Sequence, residues 1–370
     1  MQFFSNDLGI SLGTSNIMIY VDGKGIMVRE PSVVALDRNS GKVLQVGAAA
    51  YNMLGRTTGN VVAMHPNKGG VVADHGTTVK LLQILFAKLS PRSFLSPKPR
   101  VIISVPSGIT EVEERTIINA AIEAGARRVY LMEAPLAAAL GAGLDIKGPN
   151  GHMLVDIGAG TTDIAVLTMS GVANASSLKT AGNQMDEAII SYVRRNYNMV
   201  IGATVAEEVK VQIGAAYPRR DNVSFTVRGR DLKTSSPNAV ELHTQEITDA
   251  LQAPIQRILD EISNVLENTS PELVADIAEN GITLTGGGSQ IWGLDQLVAD
   301  IAENGITLTG GASQIWGLDQ LVADRTGIPC HVADDPDACC VLGCGKSLSW
   351  MNHMTEGPIN IAKNRLLKKR

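Results

Sequence analysis

The chain has 370 residues, 44% of them hydrophobic, and a net charge of −5. That length buries a sizeable core and favours two or three domains over one. The negative balance argues against a nucleic-acid binder acting through overall charge. No stretch is apolar and long enough to span a bilayer, and Met1-Gln2-Phe3-Phe4 lacks the regions of a signal peptide, so a cytoplasmic protein is expected.

Residues 10–21, 32–36 and 42–46 are apolar, β-branched runs punctuated by Asp22-Gly23-Lys24-Gly25 and Asn39-Ser40-Gly41, which predicts strands and hairpins. Val101-Ile102-Ile103-Ser104-Val105-Pro106 reads as a buried strand. Thr110 and Glu113 then form a capping-box pattern before the helical run Ile117, Ile118, Ala121, Ile122. A strand feeding a helix implies an α/β layer.

After Gly151 the pattern restarts. A strand runs to Asp156, a Gly-rich turn follows, and a second strand covers 163–167; helices are expected from Asp186, from Thr204 and over 248–267. Ile10-Ser11-Leu12-Gly13-Thr14 overlays Val155-Asp156-Ile157-Gly158-Ala159, which predicts two related lobes facing one cleft, each with a Gly hairpin.

A Gly-rich turn lets backbone approach a phosphate and aim several N–H groups at it. Gly158-Ala159-Gly160-Thr161-Thr162 alone is an ordinary hairpin; Asp156 beside it adds a carboxylate suited to holding magnesium through water. Thr285-Gly286-Gly287-Gly288-Ser289, after a strand over 281–284 and before an expected helix, has small residues against which a flat nucleoside can lie.

Gly13-Thr14, the 156–163 segment, the Gly182 turn before Asp186 and the 285–289 turn occur in the order of the actin, sugar-kinase and heat-shock-chaperone ATPases. Within that superfamily the chain resembles the bacterial actin-like MreB/Mbl family from about Leu8 to Leu348. The resemblance is carried by Gly23-Lys24-Gly25, Glu30-Pro31-Ser32-Val33-Val34-Ala35, Gly55-Arg56-Thr57, Val105-Pro106-Ser107-Gly108-Ile109-Thr110, Arg228-Gly229-Arg230-Asp231 and Ala333-Asp334-Asp335-Pro336.

The resemblance implies an actin-like ATPase fold: two RNase H-like lobes around a nucleotide cleft, each with a smaller subdomain. Lobe I would take 1–31, 78–147 and 347–370, with subdomain 32–77; lobe II would take 148–182 and 256–346, with subdomain 183–255. It further implies ATP or ADP with Mg2+. Gly13, Thr14, Ser15 and Asn16 would line the first phosphate loop, and Gly158, Ala159, Gly160, Thr161 and Thr162 the second. Asp156 would hold the metal through water, Glu207 and Lys210 would approach the adenosine, and Gly286, Gly287 and Gly288, or Gly310 and Gly311, would form the adenosine turn. The implied role is a filament of the chain's own copies beneath the cell membrane, organising cell-wall synthesis with membrane proteins of the elongation machinery.

Two positions depart from the family. Its first phosphate loop reads Asp-Leu-Gly-Thr where this chain has Ser11-Leu12-Gly13-Thr14, and its Glu-Glu-Pro is Glu133-Ala134-Pro135 here. Asp7 cannot substitute, since four residues along a strand span about 13 Å. Losing a metal-water carboxylate and a water-positioning group should suppress hydrolysis while leaving binding intact. Thr161 and Glu133 are the groups that remain near the chemistry. A working sugar-kinase-like phosphotransferase is the alternative, but it needs the acids absent at Ser11 and Ala134.

Residues 273–296 recur as 297–320, with Gly288 against Ala312. Removing either copy leaves a chain that matches the family continuously, so one copy reads as surplus and either deletion should be tolerated equally. Phe94-Leu95, between prolines and near Arg92, Lys98 and Arg100, matches the family's membrane-contact loop; Phe3-Phe4 and the basic tail would add weak anchors. The four cysteines, Cys330, Cys339, Cys340 and Cys344, lack paired metal-ligand spacing and are expected to be buried and free.

Overall fold

A computed structural model of the chain describes residues 7–89, 98–217, 221–297, 315–317, 330–333, 335–353 and 357–358. The chain folds as two units, Met1–Asp145 with Ala338–Arg370, and Ile146–Asp337.

In the first unit, β1 (Leu8–Leu12), β2 (Asn16–Val21) and β3 (Gly25–Pro31) form an antiparallel meander. β4 (Arg100–Val105) and β5 (Arg128–Glu133) add in parallel, giving the order β3-β2-β1-β4-β5. The period-two alternation of β1 decides its faces. Leu8, Ile10 and Leu12 enter a core with Val101, Ile103, Leu81, Leu85, Ile117 and Ala121. These last four come from helices α1 (His75–Leu89) and α2 (Glu111–Ala124). The capping box forms as expected: Thr110 Oγ1 accepts from Glu113 N at 3.3 Å, and the Glu113 carboxylate accepts from Thr110 N at 2.8 Å. No reading of the sequence had marked α1.

The other face of β1 carries Asp7, Gly9 and Ser11. A Cβ on Gly9 would lie 2.7 Å from Gly345 N and 2.9 Å from Cys344, so helix Cys339–Lys346 packs directly on the strand. The same helix locks onto α3 (Ala134–Ala142): Cys339 O lies 1.9 Å from where a Gly141 Cβ would stand, and Ala137 O 1.7 Å from that of Gly343. Lys346 Nζ closes the contact by donating to Leu140 O and Gly141 O at the end of α3. The resemblance implies that this helix lies in lobe II, within 256–346. Its glycine faces fit the first unit instead.

The second unit repeats the plan. β6 (His152–Ile157), β7 (Thr162–Thr168) and β8 (Gly171–Leu178) are antiparallel, β9 (Ile282–Thr285) and β10 (Cys330–Val332) parallel, in the order β8-β7-β6-β9-β10. Met153, Val155 and Ile157 join Ile282 and Leu284 in the core, packed by helices α4 (Gly182–Tyr197), α5 (Ala203–Ile213) and α6 (Thr244–Glu267). α4 begins four residues before Asp186, because Gln184 Oε1 accepts from Ala181 N and caps the earlier start. α6 begins before Thr248 for the same reason, with Glu246 accepting from His243 N.

The first repeat copy supplies most of helix α7 (Pro271–Asn280) and all of β9. The 285–289 turn includes most of a 3-10 turn, Gly287–Gln290, and strand Trp292–Leu297 follows rather than the expected helix. That strand pairs in parallel with Ile315–Gly317, setting Trp292 opposite Trp316, the same residue of each copy. Gly310 and Gly311 lie outside the described residues, as do Phe94 and Leu95.

Cys339, Cys340 and Cys344 form no disulfide among the described residues, Cys339 and Cys344 are buried, and no cluster of metal-ligating side chains occurs among the described residues. Burial pushes the Cys344 thiol up to about 12. No helix among the described residues is long and apolar enough to cross a membrane.

Candidate functional site

In the first unit the β1–β2 hairpin turns through Gly13, Thr14 and Ser15, ending on Leu12 opposite Ile17. Gly13 is required: a Cβ there would lie 2.6 Å from Asn16 O. The turn is held from one segment far along the chain. His65 Nδ1 meets Thr14 O at 3.1 Å, Asn67 Nδ2 donates to Gly13 O at 3.5 Å, and Gly70 N donates to Thr14 Oγ1 at 3.0 Å. With its carbonyls bound from that side, the turn's geometry is fixed before any ligand arrives. Asn67, fully buried, also donates to Ser32 Oγ and accepts from Thr78 Oγ1.

Ser11 is half-buried, opposite Met18 on β2 and Ser104 on β4. Asp7 lies four residues earlier on the same face, where Arg100 binds both its oxygens; its partner is fixed, and it offers nothing at the turn. Glu133 ends β5 and precedes α3, with its Oε2 accepting from Ser107 Oγ at 3.0 Å. Ala134, next along, is buried.

In the second unit the corresponding turn passes through Gly158, Ala159, Gly160 and Thr161, with Ile157 opposite Thr162 and Gly158 N donating to Thr161 O at 2.8 Å. Thr162 Oγ1 donates to Thr180 O, so its hydroxyl is engaged away from the turn. The start of α4 sits against the turn: Gly182 N donates to Gly158 O at 3.1 Å and Asn183 N to Ala159 O at 2.8 Å.

The Gly286 and Gly288 backbone closes on the same turn from the other strand. A Cβ on Gly286 would lie 2.4 Å from Ile157 O and 2.6 Å from Asp156 Oδ1. Asp156 is buried and faces Thr285 across the parallel ladder, as Ser11 faces Ser104 in the first unit. Thr285 Oγ1 is buried with no hydrogen-bond partner among the described residues.

Lys210, one turn after half-buried Glu207 on α5, lies 2.7 Å from Asp186 Oδ1 and donates to Gly182 O at 3.1 Å. Burial pushes the Asp186 carboxyl up to about 6, against the pull of the Lys210 charge. The arrangement thus gathers, around one glycine turn, a helix N-terminus, a carboxylate, an ammonium and a second Cβ-free surface. Such a set suits a phosphorylated ligand. Sequence reading missed His65, Asn67, Ser107 and the partner role of Asp186. The run His65-Pro66-Asn67-Lys68-Gly69-Gly70 was the available signal for the first two.

Comparison with known proteins shows the family of the chain. A family model described as MreB/Mbl protein matches residues 5–300 and 295–356, the two segments meeting where the repeat copies join. The chain is 44% identical over 353 residues to the cell shape-determining protein MreB of Escherichia coli, covering 94% of this chain and 95% of that protein. It is 45% identical over 293 residues to the cell shape-determining protein Mbl of Bacillus subtilis, covering 79% and 88%. Among solved structures it is similar to MreB5 of Spiroplasma citri bound to AMPPNP. That match has a TM-score of 0.82 and 33% identity, and covers 94% of this chain and 97% of that one. A MamK double helical filament, at 22% identity, matches with a TM-score of 0.72 over 94% and 99%, a likeness of fold.

Proposed function

Because the chain belongs to the MreB/Mbl family of actin-like cell shape-determining proteins, we propose that it binds adenine nucleotide, polymerises with its own copies, and hydrolyses ATP slowly or not at all. The observation that carries nucleotide binding is the second-unit turn, with the α4 N-terminus against Gly158 and Ala159 and the Gly286–Gly288 backbone closing on Ile157.

Each group has a task. Backbone N–H groups of Ala159, Gly160 and Thr161 bind phosphate oxygens, and the Gly286 backbone, lying against Ile157, brings the 285–289 turn beside them for the nucleoside. Lys210, held by Asp186, and Glu207 orient it. In the first unit, Thr14 Oγ1 accepts from Gly70 N and keeps its own hydrogen to donate to a phosphate oxygen. MreB5 of Spiroplasma citri has been solved with AMPPNP and with ADP, which supports this reading.

The donor set fits magnesium through Asp156, a buried carboxylate beside the phosphate turn, which would hold the ion through water; the metal would neutralise phosphate charge. Ser11, at the equivalent place, brings no charge, and Ala134 cannot position a water. Glu133, bonded to Ser107, and Thr161 are the remaining candidates. Turnover is therefore low, and the role is that of a scaffold.

The three-stranded sheets 34–37/43–46/61–64 and 199–200/224–231/237–243 support the smaller subdomains expected at 32–77 and 183–255. We place the filament at the inner face of the cell membrane through Phe94 and Leu95, with cell-wall elongation proteins as partners. Sedimentation with and without ATP, alongside phosphate release, tests the proposal. Nucleotide-dependent pelleting with little turnover supports it; soluble protein with substrate-dependent phosphate transfer would support a sugar-kinase-like enzyme instead.

A further inference from the structure

The two repeat copies differ at a single residue, Gly288 against Ala312. Identical strands otherwise compete for one place in the sheet, the position beside β6 where Met153 faces Ile282 and Asp156 faces Thr285. The first copy holds that place.

The reason lies at position 288. A Cβ there would stand 2.5 Å from Ile157 Cγ2 and 2.8 Å from the carbonyl oxygens of both Ile157 and Gly158. Non-bonded carbon atoms pack best at about 3.5–4.0 Å. Two of the three obstructing atoms are backbone, one in the glycine turn and one in the last residue of β6, so relief requires moving the turn and the strand end that leads into it. Gly287 differs: its Cβ would come within 3 Å of a single atom, the side-chain Oδ1 of Asp337, at 2.9 Å.

We infer that Gly288 assigns the sheet position beside the phosphate turn to the first repeat copy, and that Ala312 bars the second copy from it. The repeat therefore gives the chain one nucleoside turn and not two interchangeable ones. The copies are not equally dispensable, contrary to the expectation from sequence. Only the affinity and stoichiometry below rest on the nucleotide reading; the sheet assignment does not.

The test compares full-length Gly288→Ala and Gly287→Ala with the native chain by thermal unfolding and ADP titration. Gly288→Ala should lower the unfolding midpoint by at least about 2–4 °C and weaken ADP by about tenfold or more; Gly287→Ala serves as the comparison for the midpoint alone, which should lie much closer to native. The native chain should bind one ADP. A second arm uses chains lacking 297–320 or 273–296, which differ from each other only in keeping Gly288 or Ala312. The first should match the native chain and the second should melt lower or fail to fold.

A native-like midpoint for Gly288→Ala, equal midpoints for the two deletions, or two ADP per native chain would overturn the inference. If Gly288→Ala melts lower but the native chain binds no ADP, the sheet assignment stands and the nucleotide reading falls.

Discussion

Lys210 Nζ stands 2.7 Å from Asp186 Oδ1 and 3.1 Å from Gly182 O, so one ammonium ties α5 to the helix start that supports the phosphate turn. Both side chains are nearly buried, at 11% and 12% exposure. Burial raises the Asp186 carboxyl from 3.8 to about 6, the Lys210 charge offsetting part of the rise. An acid raised on folding holds its proton more tightly in the folded chain. Its stabilising contribution is complete below about pH 4 and is lost as pH climbs through about 6. Asp186→Asn stays neutral throughout. From about pH 4 to pH 7 the variant should therefore gain on the native chain by on the order of 1–3 kcal/mol in urea unfolding. A native-to-variant difference that does not change with pH would refute this coupling.

Ser11→Asp with Ala134→Glu supplies the two acids that the family resemblance implies at these positions. Both positions are in the first unit, Ser11 at the place that Asp156 occupies in the second. ATP turnover should rise by roughly tenfold to a thousandfold. A folded double variant that releases phosphate no faster than the native chain would show that hydrolysis is limited elsewhere.

Asn67→Ala removes a fully buried amide and leaves Ser32 and Gly13 O short of a donor. Unfolding stability should drop by about 1–3 kcal/mol. Nucleotide affinity should fall with it, because the Gly13 carbonyl loses a fixed support. Calorimetric titration alongside chemical unfolding checks both. Lost stability at unchanged affinity would reduce Asn67 to a packing residue.

Phe94→Ser with Leu95→Ser should lower co-flotation with anionic vesicles and leave nucleotide affinity unchanged. Equal flotation of variant and native chain would remove this loop from the membrane assignment.

The fold was legible wherever chemistry and position coincide along the chain. Both glycine turns announce themselves in five consecutive residues, and the overlay of Ser11 on Asp156 anticipated the matching sheet orders of the two units. What stayed hidden acts across distance in sequence. His65 and Asn67 reach Thr14 and Gly13 from more than fifty positions away, and Ser107 finds Glu133 across the sheet. Helix starts slipped by four residues because single side chains, Gln184 and Glu246, extend the caps. Helix Cys339–Lys346 was misplaced because adjacency along the chain favoured lobe II, whereas Gly141 and Gly343 decide where it fits.

That last contact sets an order of events during synthesis. The second unit is one unbroken stretch, complete once Asp337 has left the ribosome. The first unit begins earlier but waits for residues that come later, since β1 and α3 have bare glycine surfaces shaped to the backbone of helix Cys339–Lys346. A nascent chain therefore finishes its second unit while its first is still open along one face. Nearly two hundred residues of the second unit, one duplicated segment among them, are translated in that interval. Each added residue prolongs the time for which Gly9 and its neighbours stand uncovered, and chaperone dependence should rise with the length of the insert.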